Sequence, residues 1–340
     1  MGSVDRFNRR INYLRVAITD RCNLRCFYCM PHKGVAQYAH SEILTYEEIL
    51  RIVQTAAEIG FNKVRLTGGE PLVRRNVHEL VRQLASTPEI DDLAMTTNGV
   101  YLDQMADQLF NAGLKRINIS LDTLNPIKFY KITRSDKFKT VWKSISKAES
   151  TGFAPIKINV VVMRGVNDDE IGAFARLSLD KPYAIRFIEY MPIGCDNDWR
   201  PERFMSVSEI KAQVETILPL QPVPQTRVDG PAERYRFDSA RGEIGFIGAI
   251  SRHFCHSCDR LRLTPDGTLR PCLMSDEEID IKTPLRKGCT AQDLEALFHH
   301  AIALKPRRPP IPLSNDMGSG RMMSRIGGGT ILALRHVTVV

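Results

Sequence analysis

The feature that most constrains the fold is an alternation of strand-like and helix-like segments through the first 190 residues. Strand-like runs lie at 13–18, 63–67, 92–96, 115–121, 156–163 and 184–190. Helix-like runs lie between them, at 45–60, 76–86, 102–112, 138–150 and 168–179. Strands that alternate with helices form parallel sheets with right-handed crossovers. The pattern predicts an α/β fold, either an open partial barrel of about six units or a doubly wound sheet.

The predicted helix at 45–60 has clear start and stop signals. Thr45 and Glu48 have the spacing of a capping box, in which each side chain bonds the backbone of the other. Gly60 suits the residue after a helix end. These local signals predict both ends of the helix.

The alternation fades after residue 200, where a second part of the chain begins. Residues 221–231 are rich in proline and glycine, which is typical of a loop or linker. We therefore expect two domains, at 1–220 and 221–340. Within the second, the turn sequence at 264–267 lies between two short strand-like segments, LRL and TLR, and predicts a hairpin with Cys258 and Cys272 at its ends.

The charge of the chain favours an anionic partner. The formal net charge is +8, but no run of five or more Lys/Arg residues indicates a nucleic-acid-binding tail. No stretch approaches the about 18 uninterrupted apolar residues that a membrane span needs. We expect a cytoplasmic protein without a membrane segment.

Six of the eight cysteines fall in two tight groups, which are Cys22, Cys26, Cys29 and Cys255, Cys258, Cys272. In a reducing compartment such groups indicate metal sites rather than disulfides. A structural zinc site closes with four ligands, whereas three thiolates leave one position open. For the second group, Zn²⁺ with His253 or His256 as a fourth ligand stays an alternative, because Cys-x₂-Cys occurs in both zinc and iron–sulfur sites.

Polar and glycine-containing sequences follow the predicted strands where each one ends. They are TGGEP (67–71), TTNG (96–99), SLD (120–122) and EYMP (189–192). In parallel α/β folds the carboxyl ends of the strands carry the chemistry. We therefore expect these segments to surround one site.

The motifs resemble a known family. CNLRCFYC matches the CxxxCxxC signature of radical S-adenosylmethionine (SAM) enzymes, and TGGEP resembles the turn that binds the amine of SAM. The resemblance is closer to the GTP 3′,8-cyclase family, through VRLTGGEPLVR, INISLDTL, FIEYMP and FCHSCDRLRLTPDGTLRPCL. Two features depart from that family: Asp259 stands where asparagine is frequent, and residues 329–340 follow Gly328, where the family has a Gly-Gly carboxyl terminus.

The resemblance implies a partial β/α barrel of about six units with a cluster-bearing C-terminal extension. It implies two [4Fe–4S] clusters, one held by each cysteine group, with SAM on the open iron of the first and the guanine of GTP on that of the second. The SAM-binding positions that match are Tyr28, Gly69, Ser120 and Met191. The GTP-binding positions that match are Arg15, Arg65, Thr96, Lys157, Arg260, Leu261 and Arg262. A shift of the match by one residue would place Thr97 at the position of Thr96. Arg15, Arg260 and Arg262 are the candidate catalytic residues.

The activity implied is the first step of molybdenum cofactor biosynthesis. A 5′-deoxyadenosyl radical takes the 3′ hydrogen of GTP, C3′ attacks C8 of guanine, and reduction yields 3′,8-cyclo-7,8-dihydro-GTP. The implied partners are an electron donor and a downstream cyclic pyranopterin monophosphate synthase, and a homodimer is possible. Two other hypotheses are a radical SAM peptide-modifying enzyme with an auxiliary cluster and a metal-binding nucleic-acid-binding module.

Overall fold

The computed structural model describes residues 3–192, 199–224 and 230–308. The segment around Gly328 and the extension at 329–340 lie outside these residues, as does the second half (309–312) of the proline-rich stretch at 305–312. Within the described ranges, no helix combines the length and the apolar character that crossing a bilayer requires.

The first part of the chain contains the six predicted strands. They are β1 (Tyr13–Ala17), β2 (Lys63–Thr67), β3 (Asp92–Thr97), β4 (Arg116–Ser120), β5 (Ile156–Val162) and β6 (Tyr183–Glu189). The helices between them are α1 (Tyr46–Glu58), α2 (Val77–Ala85), α3 (Leu102–Asn111), α4 (Pro126–Thr133), α5 (Phe138–Thr151) and α6 (Ile171–Asp180). The strands pair in parallel in the order of the sequence, which confirms the α/β prediction.

Local signals account for the helix ends. The capping box of Thr45 and Glu48 is present at the start of α1, as predicted. Helix α4 was not predicted, because it has only eight residues and begins shortly after β4 ends. Asn125 caps it by accepting hydrogen bonds from the backbone N–H groups of Ile127 and Lys128.

The second part adds strands to both edges of the same sheet. Its elements are α7 (Val207–Glu215), β7 (Leu220–Pro222), β8 (Glu233–Phe237), β9 (Glu243–Ile247), β10 (Arg260–Leu263), β11 (Thr268–Arg270), β12 (Ile279–Asp280), α8 (Lys282–Arg286) and α9 (Ala291–Ala303). β10 and β11 form the predicted hairpin. The sheet runs β12-β11-β10-β1-β2-β3-β4-β5-β6-β9-β8-β7, so one sheet joins both parts, and the division at residue 220 stays a prediction.

Eight neighbouring strands of this sheet, from β10 through β6 to β9, are parallel. The first part of the chain supplies six of them, and β9 and β10 extend the row on either side. Side chains alternate between the two faces of each strand. One face carries the apolar core under the helices, including Leu14, Val64, Met95, Ile158 and Phe187. The other face encloses the candidate site.

Candidate active site

Three arginines lie side by side in register on adjacent strands of the inner face. Arg15 of β1 is paired with Arg65 of β2 on one side and with Arg262 of β10 on the other. Residues opposite each other in neighbouring strands project to the same face, at a strand spacing of about 4.8 Å. Because β10 lies next to β1, residues more than 240 positions apart form one row of cations.

This row lines a cavity of about 240 Å³. The predicted site residues that line it are Arg15, Arg65, Thr96, Lys157, Met191, Arg260, Arg262, Cys255, Cys258 and Cys272. The side chain of Leu261 does not line it, because strand alternation turns that side chain to the opposite face, where it is fully buried in the core. A role of Leu261 in binding GTP stays a prediction. Of the two threonines, Thr96 lines the cavity, whereas Thr97 donates a hydrogen bond to Glu70.

The cations of the cavity destabilise one another's charge. Burial, followed by the positive charges of Arg65 and Arg260, lowers the pKa of Arg15 to about 10. Burial, followed by the positive charges of Arg15 and Arg260, also holds the pKa of Arg262 well below its usual range. An anionic ligand would relieve both the burial and the repulsion.

Buried polar atoms in the cavity lack hydrogen-bond partners within the described part of the chain. These atoms are Arg15 Nε, Arg65 Nε and Thr96 Oγ1. Native proteins rarely leave such groups unsatisfied. Two donors and a hydroxyl directed into one cavity therefore fit a ligand with several acceptors, such as a polyphosphate.

The second cysteine group lies at the wall of this cavity. Cys255 begins a short 3₁₀ turn, Cys258 precedes β10 and Cys272 follows β11. Burial and then the neighbouring Cys272 and Cys258 raise the pKa of Cys255, which shows that the three thiols lie close together. Burial also raises the pKa of Cys258, but Arg260 and Lys305 outweigh it and lower that pKa to about 7. Arg260 and Lys305 therefore favour the thiolate form of Cys258, which is the form that ligates metals.

Two cations hold the backbone of this cysteine group in place. Lys305 Nζ donates to the carbonyl oxygens of Arg260 at 2.7 Å and Pro271 at 2.9 Å. The Arg9 guanidinium donates to the carbonyl of Cys255 at 2.7 Å and forms a buried ion pair with Asp5. The sequence analysis assigned neither residue to the site.

The candidate zinc ligands beside this group are exposed. His253 and His256 are both exposed, although His253 contributes to the cavity wall. In the described ranges, no three His, Cys, Asp or Glu side chains surround a single-ion position.

A buried carboxylate anchors the loop that leads to the second cysteine group. Glu189, at the end of β6, accepts hydrogen bonds from the backbone N–H of Val207 at 2.8 Å, of Ile250 at 2.7 Å and of Ser251 at 2.9 Å. The Ser251 hydroxyl also donates to it. Glu189 is fully buried, so these contacts connect the end of a central strand to the residues just before Cys255.

The first cysteine group lies in the loop after β1. Burial and then the neighbouring Cys29, Asp122 and Cys22 raise the pKa of Cys26, so these thiols are also grouped. The seven cysteines in the described ranges form no disulfide. The Asn98 amide lies 3.8 Å from Cys22 Sγ and the Leu24 N–H lies 3.5 Å from it. Donors directed at sulfur are typical of iron–sulfur ligands, which fits a cluster at this position.

The TGGEP turn is held directly against this loop. Gly69 N donates to Thr19 O and Glu70 N donates to Arg21 O, both at 2.8 Å. A Cβ on Gly69 would lie 2.3 Å from the Arg21 carbonyl oxygen, so only glycine permits this approach. Burial raises the pKa of Glu70 to about 7, against the hydrogen bonds that it accepts from Asn98, Thr97 and Leu72.

Other predicted SAM-binding residues lie at the same edge of the sheet. Ser120 is the last residue of β4, and Met191 lies just after β6. The Tyr28 hydroxyl donates to Asp122 at 2.6 Å, and its ring is 6.4 Å from that of Tyr190. Tyr28 therefore connects the cysteine loop to the ends of both strands.

The cavity also contains residues that the sequence analysis missed, including Tyr13, Asn118, Asn159 and Arg186. Arg186 is almost fully buried in the middle of β6, opposite Gly245 of β9. A Cβ on Gly245 would clash with the Arg186 guanidinium, so glycine provides its space. A charged residue in the middle of a strand with apolar neighbours was a signal for Arg186.

Comparison with known proteins agrees with this geometry. Residues 16–178 match the radical SAM superfamily, and residues 183–310 match the family described as Molybdenum Cofactor Synthesis C. A GTP 3′,8-cyclase from Moorella thermoacetica is 50% identical over 324 residues, which cover 95% of this chain and 99% of that protein. One from Pelotomaculum thermopropionicum is 48% identical over 325 residues, with the same coverage. The chain belongs to the GTP 3′,8-cyclase family.

Membership of the GTP 3′,8-cyclase family makes this a radical SAM protein, with a [4Fe–4S] cluster and SAM as its cofactors. Cys22, Cys26 and Cys29 are the candidate ligands of that cluster. Among solved structures, Streptococcus suis SuiB bound to SAM has a TM-score of 0.58 at 12% identity, covering 84% of this chain and 68% of SuiB. SuiB bound to its precursor peptide SuiA has a TM-score of 0.60 at 13% identity, covering 87% and 65%. At these identities the likeness shows a shared fold.

Proposed function

We propose that this protein converts GTP to 3′,8-cyclo-7,8-dihydro-GTP in the first step of molybdenum cofactor biosynthesis. The observation that carries the proposal is the row Arg65–Arg15–Arg262, which lines one cavity together with Cys255, Cys258 and Cys272. Arginine suits a triphosphate because its planar fork donates two parallel hydrogen bonds to phosphate oxygens. The family relatives are named for GTP, whose triphosphate needs such a site.

The two cysteine groups would hold two [4Fe–4S] clusters, the first with SAM and the second with the guanine of GTP. When bound, the first cluster supplies the electron that cleaves SAM and yields the 5′-deoxyadenosyl radical. Gly69 brings the TGGEP turn against the cluster loop, and Tyr28, Ser120 and Met191 would surround SAM at the strand ends. Arg260 and Arg262 would hold GTP beside the second cysteine group.

The orientation of the cations argues against the other two hypotheses. Arg262, Lys157 and Arg186 are buried and directed inward, whereas a nucleic-acid-binding module needs them along an exposed surface. A peptide substrate has no polyanion for the arginine row to bind. The likeness to SuiB does not favour peptide modification, since it concerns the fold.

The proposed partners and cellular location follow from the chemistry of the reaction. A cyclic pyranopterin monophosphate synthase would consume the product, and an electron donor would supply the reducing equivalent in the cytoplasm. A homodimer remains a prediction.

Anaerobic turnover tests the function. Purified protein is incubated with GTP, SAM and dithionite, and the product is identified by mass spectrometry and nuclear magnetic resonance. We expect 5′-deoxyadenosine and the cyclised nucleotide in equal amounts, from protein that contains roughly eight irons, as two four-iron clusters require. Cleavage of SAM without any GTP-derived product would contradict the proposal.

A further inference from the structure

Helices α4 and α5 carry much of the excess positive charge of the protein. Residues 125–151 contain seven Lys/Arg and two Asp/Glu residues, a net charge of +5 out of +8 for the whole chain. These helices lie between β4 and β5, outside the cavity. Substrate binding therefore does not account for their charge.

Large apolar side chains are exposed on the same two helices. Ile127 and Tyr130 of α4 are 69% and 59% exposed, and Trp142 of α5 is 37% exposed. Trp142 stacks on Phe138 with 6.3 Å between ring centroids, and Phe138 contacts Phe129 of α4 at 5.8 Å. Exposed apolar groups surrounded by charge are typical of protein interaction sites.

Two lysines accompany these side chains without an ion pair in the described part of the chain. Lys131 has the helical spacing that puts it on the face of Ile127 and Tyr130, and Lys139 is next to Phe138. Both are exposed. Other lysines of these helices are already paired with acids of neighbouring elements, as Lys128 is with Asp169 and Lys143 with Asp103. We call Ile127, Tyr130, Lys131, Lys139 and Trp142 the α4–α5 face.

The carboxyl end of α4 is bonded to the first cysteine loop. Arg25 N donates to Thr133 O at 3.0 Å and Phe27 N donates to Ile132 O at 2.9 Å, so these two contacts flank Cys26. The Arg134 guanidinium donates to Met30 O at 3.0 Å. A protein seated on α4 would thus lie one helix away from the candidate SAM cluster.

We propose that the α4–α5 face docks an acidic one-electron carrier protein that reduces the first cluster. The proposal rests on the proposed function, whose SAM cleavage consumes one electron per radical formed. The reduced carrier loses that electron, the C–S bond of the sulfonium breaks, and methionine and the 5′-deoxyadenosyl radical form. Exposed lysines attract an acidic carrier, and the apolar side chains supply the buried contact area.

Charge reversal of the two unpaired lysines tests the docking. We compare Lys131→Glu/Lys139→Glu with Arg82→Glu/Lys287→Glu, which has the same change of charge at exposed positions of α2 and just after α8. The rate of 5′-deoxyadenosine formation is measured with subsaturating reduced flavodoxin, an acidic carrier, and separately with dithionite. For the Lys131/Lys139 variant we expect the rate with flavodoxin to fall about tenfold or more, because electrostatic steering of the carrier depends on charge. Its rate with dithionite should not change.

Direct binding of flavodoxin gives a second readout that does not depend on turnover. We expect weaker binding for the Lys131/Lys139 variant and unchanged binding for the Arg82/Lys287 variant. Equal effects of both variants, or no effect of either, would overturn the docking proposal. Absence of SAM cleavage by the wild type with dithionite would instead count against the proposed function, and the binding comparison would still decide the docking.

Discussion

Arg15 and Arg262 lie in register on adjacent parallel strands, with Arg65 completing the row on the other side of Arg15. Burial, together with the charge of Arg15 and Arg260, holds the pKa of Arg262 well below its usual range. The unliganded protein therefore carries an unfavourable concentration of positive charge. Binding of a triphosphate would convert that repulsion into attraction.

Replacing one of these cations should stabilise the unliganded protein and weaken its response to ligand. We expect Arg262→Gln to raise the melting temperature without GTP, because a buried charge and its repulsion are removed. GTP at 100 times its dissociation constant should stabilise the wild type by about 2.7 kcal/mol, and much less of this should remain in the variant. Differential scanning fluorimetry measures both. Arg252→Gln, at an exposed arginine, is the control, and an equal GTP response in all three proteins would contradict the expectation.

Removing both arginines next to Cys258 should separate SAM cleavage from the cyclisation of GTP. Arg260→Ala/Arg262→Ala loses hydrogen bonds to charged groups worth ~1.5–3 kcal/mol each, a loss of roughly 10²–10⁴ in affinity for GTP. SAM cleavage should persist, since the first cysteine group is untouched. Isothermal titration with GTP and quantification of 5′-deoxyadenosine test this. Full cyclisation in the variant would show that other side chains bind the triphosphate.

A serine at any position of the first cysteine group should abolish SAM cleavage. Cys26→Ser removes one of the three thiolates, and without it the cluster loses a ligand. Cys289→Ser is the matched control, because Cys289 belongs to neither group. Iron content and 5′-deoxyadenosine yield are measured anaerobically. Wild-type yield from Cys22→Ser, Cys26→Ser and Cys29→Ser proteins would reject the ligand assignment.

Substitution in the second cysteine group should instead affect the chemistry of GTP. We expect Cys258→Ser, Cys255→Ser and Cys272→Ser to lose roughly half of the iron and all cyclisation while still cleaving SAM slowly. Circular dichroism controls for loss of folding, because metal sites can contribute folding energy. Retention of full iron content would mean that this group holds no cluster.

Glu189 should position the second cysteine group through its contacts with Ile250 and Ser251. Glu189→Gln keeps the size of the side chain but replaces an acceptor oxygen with a donor, so a backbone N–H is left without its partner. We expect a changed electron paramagnetic resonance signal of the second cluster and a raised KM for GTP, with the first cluster unaltered. Glu209→Gln, on the exposed face of α7, is the control. Identical spectra for Glu189→Gln and wild type would exclude the positioning role.

Local sequence signals determined much of the fold and the identity of the chemical groups. The alternation of strands and helices, the Thr45–Glu48 capping box and the turn at 264–267 each depend on residues a few positions apart. The cysteine spacings also depend on residues a few positions apart, so they could be recognised in the sequence in the same way. Helix α4 was not predicted, because its cap and its eight residues are a weaker sequence signal than the strand before it.

Only the tertiary structure decided which residues share the cavity. Pairing of β10 with β1 brings Arg262 beside Arg15, and long-range contacts bring Lys305 and Arg9 to the second cysteine group. Strand alternation also separates Leu261 from its two arginine neighbours and directs it into the core. These relationships depend on strand order and register across more than 200 residues. Because that information lies in long-range packing rather than in local sequence, the sequence alone could name the groups but could not assemble them.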